Sequence, residues 1–390
     1  MAPLAPPFWL LVLAVALMPF SFNAIIAGLP DIAAALSVSY AQTSVLLSGF
    51  MVVNGLSPLV YGPLSDTFGR QRVLLFGLGL AVIASGLASV ATSYEMVLLA
   101  RIGQGAGMGA GMVLVRAIVR DCYGPEKTGS MIAIITMTMV IIPIITPLMS
   151  GFIVGFFDWR MTFHLITLAA VGVFLCVWRW GRETHTGHRF SFSALARDYT
   201  HVLGQASFWR YALLLTLTSG IFFSFIAAAP HAVITLLGYS EQAFGTYFIA
   251  SGTGYIFGNF IASRRIPHWG LERTITTGLL ISMIGVAGGS ILAPSGLTIE
   301  IIFGAMVFVG VGNGIALPAL MGSVVSGAPE HAGTASGLSG FLQFTGGGLL
   351  MTLASRLVMD HAPPLLYLMV VLNLSALAVL IFWRRPKALA

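Results

Sequence analysis

The sequence predicts an all-α membrane protein of twelve transmembrane helices in two six-helix bundles, and three observations carry that prediction. The first is composition. Of 390 residues 57% are hydrophobic and 8% charged, where a soluble domain carries roughly 25% charged residues. No water-soluble fold of this length hides so much apolar surface, whereas in a bilayer the solvent itself is apolar. The second is regular punctuation, with apolar stretches of about the ~20 residues that cross a ~30 Å hydrocarbon core. The third is where the Lys and Arg residues fall between those stretches.

In chain order the apolar stretches cover 8–29, 43–62, 73–92, 96–118, 129–153 and 161–180, then 209–229, 243–263, 274–293, 298–321, 333–357 and 364–383. The longest polar segment, 181–207, holds Arg182, Glu183, Arg189, Arg197 and Asp198. The expected organisation is an N-terminal six-helix bundle over 1–180, a cytoplasmic linker over 181–207 and a C-terminal six-helix bundle over 208–390. Six spans, a linker and six spans is the outline of a two-bundle transporter. The run from Phe8 to Leu29 exceeds a signal-peptide core, and no Lys or Arg precedes Arg70, so it reads as the first crossing.

Orientation follows from the basic residues. Arg70, Arg72, Arg116, Arg120, Lys127, Arg179, Arg182, Arg189, Arg197, Arg210, Arg264, Arg265, Arg273, Arg384, Arg385 and Lys387 fall on one side. Arg101, Arg160 and Arg356 fall on the other side or deep in a span. Sixteen against three places both termini and the linker in the cytoplasm, the membrane being a cytoplasmic (inner) one. Glycines four apart, at 103, 107 and 111, 254 and 258, 310 and 314, and 333 and 337, let helix backbones approach in lipid and read as packing seams.

Several classes are excluded. The net charge of +6 is dispersed between spans rather than gathered in a patch, so no nucleic acid is expected. Cys122 and Cys176 fall near the reducing cytoplasmic face and are expected to stay unpaired. The spans hold no nucleophile with its base, paired acids or metal-ligand cluster, so an enzyme is not expected, nor a metal or other cofactor. No Walker loop points to ATP, and no filter sequence or ring of like charges points to a channel.

The segment Gly62-Pro63-Leu64-Ser65-Asp66-Thr67-Phe68-Gly69-Arg70-Gln71-Arg72, read as the loop between the second and third spans, resembles the signature loop of the major facilitator superfamily. Arg101-Ile102-Gly103-Gln104-Gly105 in the fourth span resembles the R-x-x-Q-G motif of its drug/proton antiporter branch. Arg116-Ala117-Ile118-Val119-Arg120-Asp121, with Tyr61 to Asp66, looks like the Bcr/CflA group of multidrug exporters. Pro143-Ile144-Ile145-Thr146-Pro147-Leu148-Met149-Ser150-Gly151 resembles the antiporter motif of that group in degenerate form, with Thr146 and Ser150 where small residues are usual. Asp158-Trp159-Arg160 and Gly333-Thr334-Ala335-Ser336-Gly337 also fit. In the second half the counterpart loop, Ser263-Arg264-Arg265 to Gly270, lacks the acid.

The resemblance implies a major-facilitator-type fold and a secondary transporter exporting drug-like small molecules by alternating access, with protons as the second partner and a monomeric chain. An exporter or facilitator of a sugar, nucleoside or amino-acid derivative, without strict proton coupling, is the alternative. Asp66, Arg70 and Asp121 are expected to form a cytoplasmic charge cluster, and gating is assigned to them with Gly62, Gly69, Arg72, Gly333 and Gly337. Asp66 is further expected to cap the start of the eleventh span between Gly333 and Gly337. A charge as deep as Arg101 costs at least ~2.5 kcal/mol on insertion scales, so it must face a partner or a cavity.

One departure bears on coupling. Where the Bcr/CflA group tends to carry an Asp in the first span, this chain has Asn23, which cannot exchange a proton. All thirteen acids lie at or near span ends. Asp31 and Arg101 are then the candidates for proton coupling, and His231 and His164 are expected to be interfacial. Pro143, Pro147 and Gly151 are the candidate helix bend. Asn23, Gln104, Phe222, Phe223, Phe225, Phe341, Gln343 and Phe344 are the candidate substrate-cavity lining, suited to amphiphilic or neutral aromatic compounds.

Overall fold

A computed structural model describes residues 5–185, 192–328 and 331–383. Arg189, Glu330, Arg384, Arg385 and Lys387 lie outside the described residues, as do the side chains of Glu126 and Lys127. The described elements are all helical: α1 (Phe8–Ala24), α2 (Leu29–Ala35), α3 (Tyr40–Phe68), α4 (Arg70–Ser89), α5 (Tyr94–Phe156) and α6 (Arg160–Trp180). They continue with α7 (Phe192–Leu203), α8 (Ala206–Pro230), α9 (Glu241–Leu292), α10 (Ile299–Gly327), α11 (Ala332–Leu357) and α12 (Pro364–Phe382). A π-helical turn, His231–Leu236, extends α8. Helix is the only spanning option for open chains in lipid, because each peptide group must find its partner within its own segment.

Three long helices start behind a serine that caps them. Ser39 and Gln42 form a reciprocal capping box at α3, Ser93 Oγ accepts from Met96 N on α5 at 3.3 Å, and Ser240 Oγ accepts from Ala243 N on α9 at 3.2 Å. Each satisfies a backbone donor that the first turn leaves open.

The expected spans change at three places. The first crossing does not run unbroken to Leu29: α1 ends at Ala24 and bends by 60° into α2. Gly28 precedes α2 and Pro30 occupies its first turn, where a missing N–H costs nothing. The fourth and fifth stretches join in one helical run of 63 residues, with separate apolar windows at Tyr94–Tyr123 and Met137–Phe156. The eighth and ninth join likewise in α9, whose 52 residues would extend ~78 Å at 1.5 Å per residue, enough for two crossings. Its break is Gly270, at φ 74° and ψ 170°, a backbone conformation that glycine alone adopts freely. Among the described residues nine helices are long and apolar enough to cross a membrane, or ten if α1 and α2 make one bent span.

The chain divides into two compact units, Met1–Phe190 and Ser191–Ala390. Within the first, α5 packs on α1, α3 and α4; within the second, α9 lies along α10, and α8 lies against α10, α11 and α12. The α9–α10 seam depends on glycine. A β-carbon at Gly314 would stand 2.9 Å from Gly258 Cα, and one at Gly258 would stand 3.0 Å from Gly314 Cα. No alanine fits there without parting the helices. The core of the second unit is aromatic: Phe225 meets Phe303 edge-on at 5.4 Å and Phe248 at 6.2 Å.

Candidate functional site

The signature segment is built differently from the loop that the sequence suggests. Gly62 to Phe68 stay inside α3, with Pro63 within the helix. Gly62 makes no turn, and a β-carbon there would meet open space. The whole reversal into α4 happens at Gly69, at φ 98° and ψ 148°. Arg70 then opens α4 with its side chain buried, 4% exposed. Its Nη1 lies 2.5 Å from Asp66 Oδ1 and donates to Ser65 Oγ at 2.5 Å, while its Nε donates to Asp121 Oδ2 at 3.1 Å. One guanidinium thus ties the ends of α3 and α4 to the middle of α5. Asp66 stays half exposed and Arg72 is exposed.

The sequence reading missed a fourth member. Glu183, three residues beyond the end of α6, accepts from Arg70 N at 2.7 Å and Gln71 N at 3.2 Å. It also accepts from Thr184 N at 3.1 Å and His185 N at 3.2 Å. Gly69 makes no side-chain cap on α4, so this carboxylate supplies the cap and sits at the positive end of the helix dipole. The signal that points to it is a helix start with no Ser, Thr, Asp or Asn before it, and an acid just past a neighbouring span. Asp66, expected to cap the eleventh span, is engaged by Arg70 within its own unit. Gly333 and Gly337 stand in the first turns of α11 in the second unit, Gly333 exposed.

Arg101 is fully enclosed at 0% exposure. Its Nη1 donates to Ser21 O and Ser21 Oγ, both at 3.2 Å, and to Gln104 Oε1 at 2.8 Å. Its Nε donates to Leu46 O at 3.3 Å, and its Cζ stands 4.3 Å from the Phe50 ring centre, a cation–π distance. Gln104 Nε2 passes the network on to Ser85 Oγ at 2.9 Å. Arg101 and Gln104 therefore act together inside the first unit, joining α1, α3, α4 and α5. Gln104 is 0% exposed, so it is a network member and not a wall of an open cavity. Nη2 of Arg101 has no partner.

Other candidates are placed as follows. Asn23 is buried; its Nδ2 donates to Pro19 O at 2.7 Å and its Oδ1 is unpartnered. Asp31 stands in the first turn of α2, half-buried. Pro143, Pro147 and Gly151 lie in a helical stretch of α5. There Thr146 Oγ1 donates to Ile142 O at 2.7 Å, and Ser150 Oγ donates to Ala24 O at 2.5 Å. The hydroxyls at the two unusual motif positions thus form bonds, and Ser150 satisfies a carbonyl at the open end of α1.

In the second unit Phe225, at 0% exposure, belongs to the aromatic core, which corrects its expected place on a cavity wall. Phe223 packs on Phe222 at 6.4 Å and on Phe344 at 6.3 Å. Phe222, Phe341, Gln343 and Phe344 are half-buried. His231 Nε2 lies 3.0 Å from Met359 O, and His164 is exposed.

The second unit carries its own ion pair where the counterpart loop lacks an acid. Arg210 at the start of α8 donates from Nη1 to Glu272 Oε1 at 2.6 Å and from Nη2 to Leu380 O at 3.0 Å; Tyr211 Oη donates to the same Glu272 oxygen at 3.1 Å. Arg210 is 2% exposed and Glu272 23%. Breaking a buried pair by removing one partner costs about 3–5 kcal/mol. Arg210→Ala is therefore expected to lower the thermal unfolding midpoint in detergent by several degrees, while Arg264→Ala, at an exposed site, leaves it unchanged. Equal midpoints for the two variants would show that the pair holds nothing together.

With this geometry in view, the comparison with known proteins is direct. The Major Facilitator Superfamily profile matches residues 11–351. The chain belongs to the major facilitator superfamily. It is therefore a transport protein of a superfamily whose members are built as multi-pass helical membrane proteins. A "Bicyclomycin resistance protein homolog" of Haemophilus influenzae is 27% identical over 363 residues, covering 90% of this chain and 89% of the relative. "Multidrug resistance protein D" of Escherichia coli is 26% identical over 384 residues, covering 96% and 94%. A "Chloramphenicol resistance protein" of Pseudomonas aeruginosa is 27% identical over 345 residues, covering 86% and 79%. These are Bcr/CflA-like relatives, as the sequence motifs imply. Among solved structures, a D-xylose–proton symporter superposes with a TM-score of 0.74 at 14% identity, over 96% of this chain and 97% of that one. The likeness is one of fold.

Proposed function

We propose that this superfamily member exports drug-like small molecules from the cytoplasm across the inner membrane, crossing it twelve times with both termini inside, by alternating access coupled to inward proton flow. The observation that carries this reading is the similarity, over nearly the whole length, to relatives named for resistance to antibiotics. The Asp66–Arg70–Asp121 cluster fits a gating role because it joins three helix segments through one guanidinium. A second reading, a facilitator without strict proton coupling, is favoured by Asn23 and by carboxylates that lie at or near the ends of the apolar stretches.

Compound uptake into inverted vesicles, with and without an imposed pH gradient, tests both. Substrate-dependent proton release and uphill accumulation are expected, and Asp31→Asn is expected to abolish accumulation but spare counterflow exchange. Equilibration that ignores the gradient supports the facilitator. Uphill export by Asp31→Asn would show that coupling lies elsewhere.

A further inference from the structure

The second unit leaves three arginines without a counter-charge where α9 turns back. Arg264, Arg265 and Arg273 are exposed, and none belongs to an ion pair among the described residues. In the first unit the arginine beside the corresponding turn, Arg70, is buried against Asp66 and Asp121. Glu272 is the one acid in the segment 263–273, and it is already held by Arg210 and Tyr211.

The three arginines gather at one end of the unit because α9 reverses at Gly270. A β-carbon at Gly254 would meet Val307 and one at Gly258 would meet Val311, whereas one at Gly278 would meet Gly312 and one at Gly285 would meet Ala305. The two arms of α9 therefore run along α10 in opposite directions. A β-carbon at Gly322 would meet Leu271, which sets the turn near the end of α10. Arg264 and Arg265 stand within two turns before the break, and Arg273 about one turn after it.

Two of the arginines are set in place by rings. Arg264 Cζ stands 4.5 Å from the Phe260 ring centre, and Arg265 Cζ stands 5.2 Å from that of Trp269, both cation–π distances. A ring covers the flat face of a guanidinium and leaves its N–H edge free to donate. Ile256, Phe260 and Arg264 recur at intervals of four and form one stripe along the helix. Ile256, Phe257 and Phe260 are 45%, 58% and 52% exposed. The stripe thus runs from an apolar wall to free cationic donors at the end of a span.

We propose that this end of α9 binds an anionic phospholipid. Its acyl chains lie along Ile256, Phe257 and Phe260, its phosphodiester accepts from Arg264 and Arg265, and Arg273 adds to the attraction. Guanidinium groups suit the task because they pair two N–H donors with two phosphate oxygens. A zwitterionic headgroup brings an ammonium as well, and the acid of this segment is already engaged by Arg210. Net negative charge is therefore selected. Such a site serves the chain whatever compound it moves.

The test takes the purified, delipidated chain in a neutral detergent and adds phosphatidylglycerol, phosphatidylcholine or inorganic phosphate. Bound lipid is counted by native mass spectrometry, and the unfolding midpoint is followed in parallel. Phosphatidylglycerol is expected to be retained and to raise the midpoint, because a ligand of the folded state stabilises it. Phosphatidylcholine and phosphate are expected to do neither. The double variant Arg264→Gln with Arg265→Gln is expected to match wild type in detergent alone, which shows that it folds. It is expected to bind phosphatidylglycerol about 25-fold more weakly, at roughly fivefold for each interfacial arginine. Arg179→Gln with Arg182→Gln removes the same charge at exposed positions of the first unit, and is expected to bind as wild type does. Equal loss in the two double variants would trace the binding to net charge and overturn the site. Equal retention of phosphatidylcholine would overturn the selection for negative charge. A midpoint rise of the same size with phosphate alone would make the ligand a soluble anion, and the lipid inference would fall. None of these outcomes touches transport, so the exporter reading stands or falls in the vesicle assay by itself.

Discussion

Arg101→Ala is expected to cut transport by ~100-fold or more while the amount of inserted protein stays within about a factor of two. Two magnitudes decide this. Hydrogen bonds to charged groups are worth roughly 1.5–3 kcal/mol each, and Arg101 makes them to Ser21, Gln104 and Leu46. Two such bonds lost at the step that reshapes the bundle account for about 100-fold at 1.36 kcal/mol per tenfold. Insertion, by contrast, is relieved of a charge that costs at least ~2.5 kcal/mol in mid-span. The alanine therefore offsets much of its own folding loss. Arg101→Lys keeps the charge but replaces the planar fork with a single ammonium, which cannot bridge α1, α3 and Gln104 together, so partial recovery is expected. Membrane-fraction immunoblots beside vesicle transport rates check the result. Wild-type rates in Arg101→Ala, or full recovery in Arg101→Lys, would show that the network is packing alone.

What the sequence makes legible follows from chemistry that is local or periodic. The apolar stretches locate the helices because lipid demands length and apolarity, and both can be counted. Arg70 with Asp66 and Asp121, and the need of Arg101 for an interior partner, are legible because a charge inside or beside a span must find a partner; that Gln104 is one such partner and not a cavity wall is not. The misreadings lie where no such constraint acts on neighbouring residues. Glu183 is 113 residues from Arg70 in sequence, in a segment whose polarity reads as linker, and only the fold brings it to the open end of α4. Arg210 and Glu272 escape notice because the counterpart loop is searched for an aspartate before the glycine, whereas the acid follows Gly270. Phe225 is misassigned because α8 is apolar nearly all round, and such a helix gives no sequence signal to separate core, lipid and cavity faces. The bend after Ala24 is written in Gly28 and Pro30, but inside a long apolar run those two residues look like the end of a span and not a break within it.

Gly69→Ala is expected to be damaging in the first unit, through backbone strain and through Glu183 together. At φ 98° and ψ 148° the backbone is in a region that is essentially glycine's own, and a residue with a β-carbon is strained there by about 1–3 kcal/mol. The same β-carbon would lie 2.7 Å from Glu183 Cδ and collide with its carboxylate oxygens. Either the carboxylate moves, or the turn does. Moving the carboxylate strips Arg70 N and Gln71 N of their acceptor, and loss of a cap costs about 0.5–2 kcal/mol. Together the two terms reach ~1.5–5 kcal/mol, applied where Arg70 must meet Asp66 and Asp121. The expected results are a clear fall in the unfolding midpoint and a transport rate that drops more than substrate affinity does, since the charge cluster loses its register while other contacts remain. Glu183→Gln, which keeps an acceptor but gives up the charge at the helix end, is expected to be milder. The double variant Gly69→Ala with Glu183→Ala separates the causes. Contacting residues couple by 0.5–3 kcal/mol in such cycles, so if the clash with Glu183 matters, the double variant is less destabilised than the sum of its two single variants. Strict additivity would assign the whole effect to backbone strain and would leave Glu183 no part in shaping the turn.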